Sequence, residues 1–418
     1  MADSAHVATP LRVLVSEGNS TSAREAITIL GLSGHLIEVC DPSPWCLARF
    51  SRFVRKVHHC PGLRDDPAGF LSFVEKLLAA RRFDVLLPIH EQGFLFARVG
   101  RRLEDRVGLA LPAFESYRTA HSKAGFSRLL DQLKLPQPKT RIVKSERELR
   151  DAAHIPCLIK TSIGTASRGV WLVRDAGEFE GALRGLTDGG AFADEVLVQE
   201  FAAGVTEKAQ GIFCRGELIG FHIWRHIAAG AGGGEAIKQS VSRPRARDHL
   251  AAIGKKLDWH GALSVDYILR ADDATPLLID CNPRLVEPMS AWLAGVDLVG
   301  LLLAVSRGQT PPMAAEGRAD VRTHLAMQAL LGCASRGGTR RDILRGCWQL
   351  AMGGGPYAGS REELTPVGLD RPSAVPLVLT ALCLLAAPKF AATLAKRGWG
   401  AHLLDLASIR QIESEDFG

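Results

Sequence analysis

Short apolar stretches alternate with longer stretches of helical periodicity over residues 11–110. In chain order, the pattern predicts a strand at 13–15, a helix at 22–32, a strand at 35–39, a helix at 67–80 and a strand at 85–88. This alternation is typical of a parallel α/β sheet. Such sheets bind ligands beyond the carboxyl ends of their strands, where the turn Ser16-Glu17-Gly18-Asn19 falls. The turn lacks a GxGxxG fingerprint, so the sequence gives little support to nicotinamide binding.

The pattern changes after residue 119. A helix at 122–133 is followed by strands predicted at 157–160, 169–173, 196–199, 209–213, 218–224, 262–269 and 277–280. Beyond about residue 315 the composition becomes helical, broken by Gly353-Gly354-Gly355-Pro356. We therefore predict an α/β fold in three parts: an N-terminal parallel α/β domain, a two-lobed α+β domain and a helical C-terminal extension. Their expected bounds are 1–112, 113–312 (lobes at about 140–205 and 206–312) and 313–418.

Composition limits the classes of function. The chain has 418 residues, is 46% hydrophobic and carries a formal charge of +6. The basic clusters at 243–247 and 336–345 are short and lack interleaved aromatic residues, so no nucleic-acid partner is expected. Nine cysteines without a CxxC pair disfavour both a structural zinc site and a disulfide framework. Residues 1–10 lack the features of a signal peptide, and we expect a cytoplasmic protein.

One apolar segment leaves three alternatives open. Residues 372–388 contain no charged side chain, and Lys389, Lys396, Arg397 and Trp399 follow them. The run is too short for a spanning helix, which needs about 20 apolar residues. We favour a buried helix of a C-terminal subdomain. The alternatives are a helix over 372–399 that lies on the inner face of a membrane, and a homodimer surface.

The end of one predicted strand carries candidate metal ligands. The run Leu277-Leu278-Ile279-Asp280-Cys281-Asn282-Pro283-Arg284 places a carboxylate, an amide and a guanidinium at alternate positions, on the same face of a strand. Asp266 ends a similar stretch 14 residues upstream. Oxygen ligands of this kind suit Mg²⁺, and the arginine can neutralise phosphoryl oxygens. The sequence therefore predicts a site for metal-bound phosphate.

A second stretch has the composition of a phosphate-binding loop. Lys160 ends a short strand and precedes Thr161-Ser162-Ile163-Gly164-Thr165-Ala166-Ser167-Arg168-Gly169. The glycines let backbone N–H groups approach anionic oxygens, while Thr165 and Ser167 supply hydroxyl donors. The loop is not a Walker motif, because the lysine precedes the glycines, and a plain hairpin loop is the alternative.

Together these features resemble the ATP-grasp superfamily, over residues 11 to about 310. By this resemblance, Lys123 and Lys160 are the two phosphate-binding lysines, and the loop over the β- and γ-phosphates contains Gly164, Thr165, Ser167, Arg168 and Gly169. The adenine linker is matched by Gln199, Glu200 and Phe201, and the ribose ligand is matched by Glu207. The metal ligands are matched by Asp266, Asp280 and Asn282. Arg284 matches the arginine beside the transferred phosphoryl group.

Two positions depart from the family pattern. Asp280 replaces the commoner glutamate, which shortens the reach toward the metal by one methylene group. The third basic residue of the site is ambiguous among Arg225, Lys238 and Arg243, and we favour Lys238 for the γ-phosphate.

The resemblance implies an ADP-forming ligase that activates a carboxylate as an acylphosphate for capture by an amine. ATP and two Mg²⁺ or Mn²⁺ ions would be required, and the partners would be a small-molecule carboxylate and an amine. Two alternatives remain: an enzyme that activates bicarbonate, like carboxylases or carbamoyl-phosphate synthases, and a non-catalytic ATP-binding module. Substrate contacts are sought at His90, Glu91 and Gln92, at Arg225 and His226, and at residues 287–290.

Overall fold

A computed structural model of the protein describes residues 9–164, 168–391, 393 and 402–417. The predicted loop residues Thr165 and Ser167 lie outside the described residues, as do Lys396, Arg397 and Trp399. The predicted α/β class is confirmed, with a parallel N-terminal sheet, a two-lobed α+β region and a mainly helical C-terminal region. The exact domain bounds stay predictions.

The N-terminal part is a parallel four-stranded sheet. Its strands are β1 (Arg12–Val15), β2 (Leu36–Asp41), β3 (Val54–His59) and β4 (Val85–Leu87), in the order β3-β2-β1-β4. The helices of this part are α1 (Thr21–Leu32), α2 (Pro67–Ala80), α3 (Gln92–Val99) and α4 (Arg101–Glu104). The central strand β1 is apolar because both its faces are covered, and Val13, Leu14 and Val15 are buried.

The first lobe is a small antiparallel sheet. Helices α5 (Phe114–His121) and α6 (Lys123–Leu133) lead into β5 (Thr140–Val143), β6 (Cys157–Thr161), β7 (Val170–Val173) and β8 (Val196–Glu200). The strand order is β5-β8-β6-β7. Helices α7 (Glu146–Ala152) and α8 (Ala176–Asp188) contribute Leu149 and Leu183 to its core.

The second lobe is a seven-stranded sheet with the order β13-β12-β9-β10-β11-β14-β15. Five of its strands are β9 (Val205–Cys214), β10 (Glu217–Ala229), β11 (Glu235–Ser240), β12 (Gly261–Leu269) and β13 (Pro276–Asn282). Helix α9 (Pro244–Lys256) packs on one face of the sheet, and α11 (Leu298–Ser306) packs on the other. The short helix α10 (Met289–Ala294) joins β13 to α11 and contacts α1 of the N-terminal part.

The C-terminal region is not purely helical, since it adds the last two strands to the large sheet. These strands are β14 (Arg322–His324) and β15 (Arg361–Glu362), and the helices are α12 (Ala326–Ser335), α13 (Arg340–Met352), α14 (Ala374–Ala386) and α15 (Leu406–Ser414). The buried Arg24 of α1 forms an ion pair with Asp370, Nη2 to Oδ2 2.6 Å. The region is thereby fastened to both the large sheet and the N-terminal part.

The apolar helix α14 is packed on one face and exposed on the other. Leu384 is buried against α12 and α13, whereas Leu379 and Leu382 are 52% and 57% exposed. Within the described residues, no helix combines the length and the apolar character that a membrane crossing requires.

Candidate active site

The predicted metal ligands meet on one β-hairpin. Strands β12 and β13 are antiparallel, and their register places Asp266 opposite Asp280 and Ser264 opposite Asn282. Alternation along each strand brings the two carboxylates and the amide of Asn282 to one face. Asp266 Oδ1 is buried without a hydrogen-bond partner among the described residues. Burial raises the pKa of Asp266 to about 6, although the charge of Lys208 opposes the shift.

Lys123 lies at this hairpin because the start of α6 is fastened to the end of β6. Ser122 caps the helix by accepting from Gly125 N, 3.1 Å, and the Lys123 N–H donates to Ser162 O, 2.9 Å. The Lys123 side chain then reaches both parts of the site. Its Nζ lies 3.5 Å from Asp280 Oδ1 and 2.5 Å from Gly164 O.

Lys160 joins the same site from the small sheet. Its buried Nζ donates to Gln199 Oε1, 2.8 Å, and to Ile279 O of β13, 3.1 Å. Burial lowers the pKa of Lys160 to about 8, although the carboxylate of Asp280 favours the charged form. Two lysines and two aspartates thus converge at the junction of the lobes.

One end of the predicted phosphate loop has a backbone conformation that favours glycine. Gly169 has φ +71°, and a Cβ there would lie 2.1 Å from Thr161 Oγ1, so the position requires glycine. A cavity of about 290 Å³ lies beside the loop. Its wall includes Arg168 and Gly169 of the loop and residues 403–406 of the C-terminal region. The sequence did not indicate that the C-terminal region reaches this cavity.

The predicted adenine linker follows directly from β8. Gln199 is buried, and besides accepting from Lys160 its amide donates to Thr140 Oγ1, 3.0 Å. Glu200 is exposed and Phe201 is 45% exposed at the end of the strand. Their nucleotide contacts stay predictions.

Glu207 lies on the face of β9 that is turned away from the metal ligands. Its buried carboxylate accepts from Arg243, 2.8 and 3.0 Å, and from Tyr267 Oη, 2.7 Å. Its neighbour Lys208 is the register partner of Asp266, whereas Glu207 pairs with Tyr267. The structure therefore does not bring Glu207 together with Asp266, and its ribose role stays a prediction.

Lys238 and Arg225 are both engaged by protein groups. Lys238 is fully buried, and its Nζ lies 2.6 Å from Glu287 Oε2 and 2.5 Å from Glu363 Oε2. Burial alone would lower the pKa of Lys238, but these carboxylates outweigh it and raise the pKa. Arg225 donates to Gln239 Oε1, 3.0 Å. Their predicted contact with a phosphoryl group is untested.

Lys208 is a candidate that the sequence interpretation missed. Its Nζ lies 3.9 Å from Asp266 Oδ2 and 2.8 Å from Glu235 Oε1, and its side chain is 17% exposed. Since strand alternation puts neighbouring residues on opposite faces, only one of Glu207 and Lys208 can share the face of Asp266. That rule could have identified Lys208 once β9 and β12 were known to pair.

Arg284 connects the hairpin with the N-terminal sheet. Its carbonyl oxygen accepts from Ser264 Oγ, 2.7 Å, and its Nε is buried without a hydrogen-bond partner among the described residues. The guanidinium acts electrostatically on Asp266 and on Glu17, which follows β1. His90 and Glu91 follow β4 at the same edge of the parallel sheet, and both are buried. The second lobe and the N-terminal part therefore meet around Arg284.

Comparison with curated proteins gives distant sequence similarity. No protein-family model matches the chain. Multifunctional protein CAD of Squalus acanthias is 25% identical over 261 residues, which cover 54% of this chain and 11% of that protein. The carbamoyl phosphate synthase large chain of Methanoculleus marisnigri is 27% identical over 224 residues, covering 50% of this chain and 21% of the relative. The chain thus spans about a tenth to a fifth of these relatives.

Solved structures match over most of the chain. N5-carboxyaminoimidazole synthetase from Staphylococcus aureus, complexed with ADP, has TM-score 0.60 at 12% identity, covering 76% of this chain and 83% of that chain. Biotin carboxylase from Campylobacter jejuni has TM-score 0.58 at 16% identity, and the match covers 74% of this chain and 74% of that chain. L-amino acid ligase from Bacillus licheniformis has TM-score 0.55 at 15% identity, and the match covers 72% of this chain and 75% of that chain. The chain has the ATP-grasp fold of these solved structures.

Proposed function

We propose that this protein is an ATP-dependent ligase that activates a carboxylate as an acylphosphate and transfers the acyl group to an amine, with release of ADP. The observation that carries the proposal is the convergence of Asp266, Asp280, Lys123 and Lys160 where the lobes meet. Such a site needs no covalent nucleophile. Positioning and charge stabilisation by the lysines account for most of the expected rate.

The residues fit the groups that this reaction requires. Asp266, Asp280 and Asn282 present oxygen ligands on one face, and the unpartnered Asp266 Oδ1 has a free position for a cation. Such ligands suit Mg²⁺ and also Mn²⁺, and two carboxylates are enough to share two ions. When bound, the metal would neutralise phosphate charge and orient the γ-phosphate. Lys123 and Lys160 would hold the phosphates from the other side of the site.

We propose that Arg284 stabilises the charge of the transferred phosphoryl group. Its charge acts on Asp266 of the hairpin and on Glu17 and His90 at the edge of the parallel sheet. We propose that the carboxylate substrate binds at this edge, because ligands of parallel sheets bind beyond the carboxyl ends of the strands. An amine entering there would meet the acylphosphate beside Arg284.

The test is release of ADP and phosphate from Mg²⁺-ATP against mixed pools of carboxylic acids and amino acids. Release that needs both pools, and that disappears in Asp280→Ala and Asn282→Ala, supports the ligase. Tight ATP binding without turnover in any pool would instead favour a non-catalytic module.

Activation of bicarbonate is the second candidate. The names of the relatives and neighbours favour it, since they include carbamoyl phosphate synthases and a biotin carboxylase. ATP hydrolysis that bicarbonate stimulates without any organic acid would separate this reaction from the first.

The exposed apolar face of the C-terminal helices supports a further proposal, peripheral contact with an anionic membrane. Leu382 of α14 and Leu344 and Trp348 of α13 are 57%, 54% and 64% exposed, and the basic residues Arg341 and Arg345 are exposed on α13. Such a combination suits an interfacial helix pair. Cosedimentation with anionic vesicles, reduced in Trp348→Ser, tests the proposal. A concentration-dependent dimer without vesicle binding would favour the homodimer alternative.

A further inference from the structure

Three buried side chains from distant segments meet at the edge of the N-terminal sheet. Glu17 follows β1, Asp41 ends β2, and His402 precedes α15. Their candidate ligand atoms all lie within 4.8 Å of one another. The three residues are only 4%, 1% and 5% exposed. None of them belongs to the predicted Mg²⁺ ligand set.

This cluster has no direct cationic partner among the described residues, although the charge of Arg284 acts on Glu17 from a greater distance. Among the described residues, no lysine or arginine lies within ion-pair distance of Glu17 or Asp41. Two other buried carboxylates have such a partner: Glu363 has Lys238, and Asp370 has Arg24. Burial of two unpaired carboxylates is costly, and proteins offset this cost with a cation or a proton. Burial accordingly raises the pKa of Glu17 to about 7.

The backbone holds the two carboxylates in place. Asp41 accepts from Gly18 N, 2.9 Å, and from Ser43 N, 2.7 Å, while Glu17 Oε1 accepts from Ser20 N, 3.1 Å. Each of these oxygens keeps a lone pair, and such second contacts are what orient metal-binding carboxylates.

The imidazole of His402 is a second observation, separate from the two carboxylates, that indicates a bound ligand. Both of its ring nitrogens are buried and have no hydrogen-bond partner among the described residues. The ring packs edge-on against Phe70 with a centroid distance of 5.6 Å, so it is confined. The buried imidazole has no hydrogen-bond partner and lies beside two buried carboxylates. A bound metal ion would satisfy all three groups.

We propose that Glu17, Asp41 and His402 form a binding site for a divalent transition-metal ion. A nitrogen ligand with two carboxylates suits Mn²⁺, Fe²⁺, Co²⁺ or Zn²⁺, and the imidazole selects against Mg²⁺ and Ca²⁺. The ion would tie the ends of β1 and β2 to the segment that leads into α15. This site goes beyond the proposed ligase reaction, and its detection does not require turnover.

The experiment uses the whole protein, freed of metal with a chelator and titrated with Co²⁺ in excess Mg²⁺ without nucleotide. Visible absorption of bound Co²⁺ and metal content after gel filtration report binding. We expect one Co²⁺ per chain, with affinity lowered at least about tenfold in His402→Gln and Glu17→Gln. Asp280→Asn and the exposed-histidine variant His154→Gln should bind like the wild type.

Thermal unfolding of each variant separates loss of the site from loss of the fold. Co²⁺ should raise the melting temperature of the wild type and of Asp280→Asn, but not that of His402→Gln. The proposal is overturned if the wild type binds Co²⁺ no more tightly than His402→Gln, which would mean that the three groups share a proton. It is equally overturned if Asp280→Asn abolishes binding, since the ion would then belong to the phosphate site.

Discussion

Lys160 of the small sheet donates a hydrogen bond to the carbonyl oxygen of Ile279 on the large sheet, with an Nζ–O distance of 3.1 Å. The acceptor immediately precedes Asp280, so one ammonium group links β6 to the predicted metal-binding end of β13. Any change in the separation of the two lobes must therefore move the charge of Lys160 relative to Asp280.

Replacement of this lysine should weaken nucleotide binding. A hydrogen bond from a charged group is worth about 1.5–3 kcal/mol, so Lys160→Met should raise the Kd for ATP by about 10- to 100-fold. Calorimetric titration with ATP measures the effect. Lys144→Met is the matched control, because this lysine also lies in the first lobe but is 71% exposed. Equal losses in both variants would show that only overall charge matters.

Removal of Lys208 should mainly lower ATP turnover, whereas removal of Lys238 should mainly lower the stability of the fold. Lys208 lies next to Asp266, so Lys208→Gln should reduce ATP turnover by about 100-fold, the effect of removing one charge-stabilising donor. The change also leaves buried Glu235 without its cation, so turnover is compared per folded molecule. Lys238→Gln leaves Glu287 and Glu363 buried without their cation, so it should cost about 3–5 kcal/mol of stability. ATP turnover per folded molecule measures the catalytic effect of each variant, and the midpoint of urea unfolding measures its effect on stability. Intact turnover in Lys208→Gln would restore Lys238 as the phosphate-binding candidate.

Glu207→Gln tests whether this carboxylate binds the ribose of the nucleotide or stabilises the large sheet. Its contacts with Arg243 and Tyr267 lead us to expect a lower melting temperature and an unchanged ratio of the Kd values for ADP and 2′-deoxy-ADP. Glu200→Gln serves as a comparison, because Glu200 is an exposed carboxylate at the end of β8. A ratio that approaches one in Glu207→Gln would establish the ribose role.

The buried ion pair between Arg24 and Asp370 should contribute strongly to stability. Asp370 also accepts from Ser51 Oγ, 2.6 Å, and from Arg52 N, 2.9 Å. Asp370→Asn should lower the free energy of unfolding by about 3–5 kcal/mol, because Arg24 would stay buried without a counter-charge. Asp272→Asn breaks an exposed Arg–Asp pair and should leave the free energy of unfolding nearly unchanged. Denaturant unfolding followed by tryptophan fluorescence gives both values.

Acid should destabilise the protein partly through His222. Burial lowers the pKa of this histidine to about 3, with Lys238 adding to the shift, whereas the unfolded value is about 6.5. Between these values the unfolded state binds a proton that the folded state does not, so stability falls as the pH drops below about 6.5. His222→Phe should therefore reduce the stability lost between pH 7 and 5 by about 2 kcal/mol. Parallel curves for wild type and His222→Phe would contradict the assignment.

The sequence predicted strands that have a strong apolar pattern and missed those that do not. The buried strands β1 and β2 were predicted almost to their ends. Strand β3, with the sequence Val-Arg-Lys-Val-His-His, was missed because it lies at the sheet edge and keeps several side chains in solvent. Strands β14 and β15, of three and two residues, are too short to show a period. Their pairing is decided by the large sheet and not by local sequence.

The candidate site was predictable where its residues share one hairpin. Asp266, Asp280 and Asn282 lie on adjacent strands, so alternation alone placed them on one face. Lys208 depends on the pairing of β9 with β12 across more than 50 residues of chain, which one sequence does not specify. His402 and Glu17 are still further apart in sequence, and the turn after β1 gave no sign of a histidine partner.

The wall that residues 403–406 contribute to the cavity beside the phosphate loop has a consequence for biosynthesis. The lobes and both aspartates of the metal site leave the ribosome well before this wall exists. During that interval the predicted nucleotide-binding residues have been synthesised, whereas the side next to Gly164 and Gly169 still lacks this wall. Completion of the pocket therefore depends on a segment far along the chain from the loop, and a chain terminated between the second lobe and residue 403 would carry the predicted ligands without this wall.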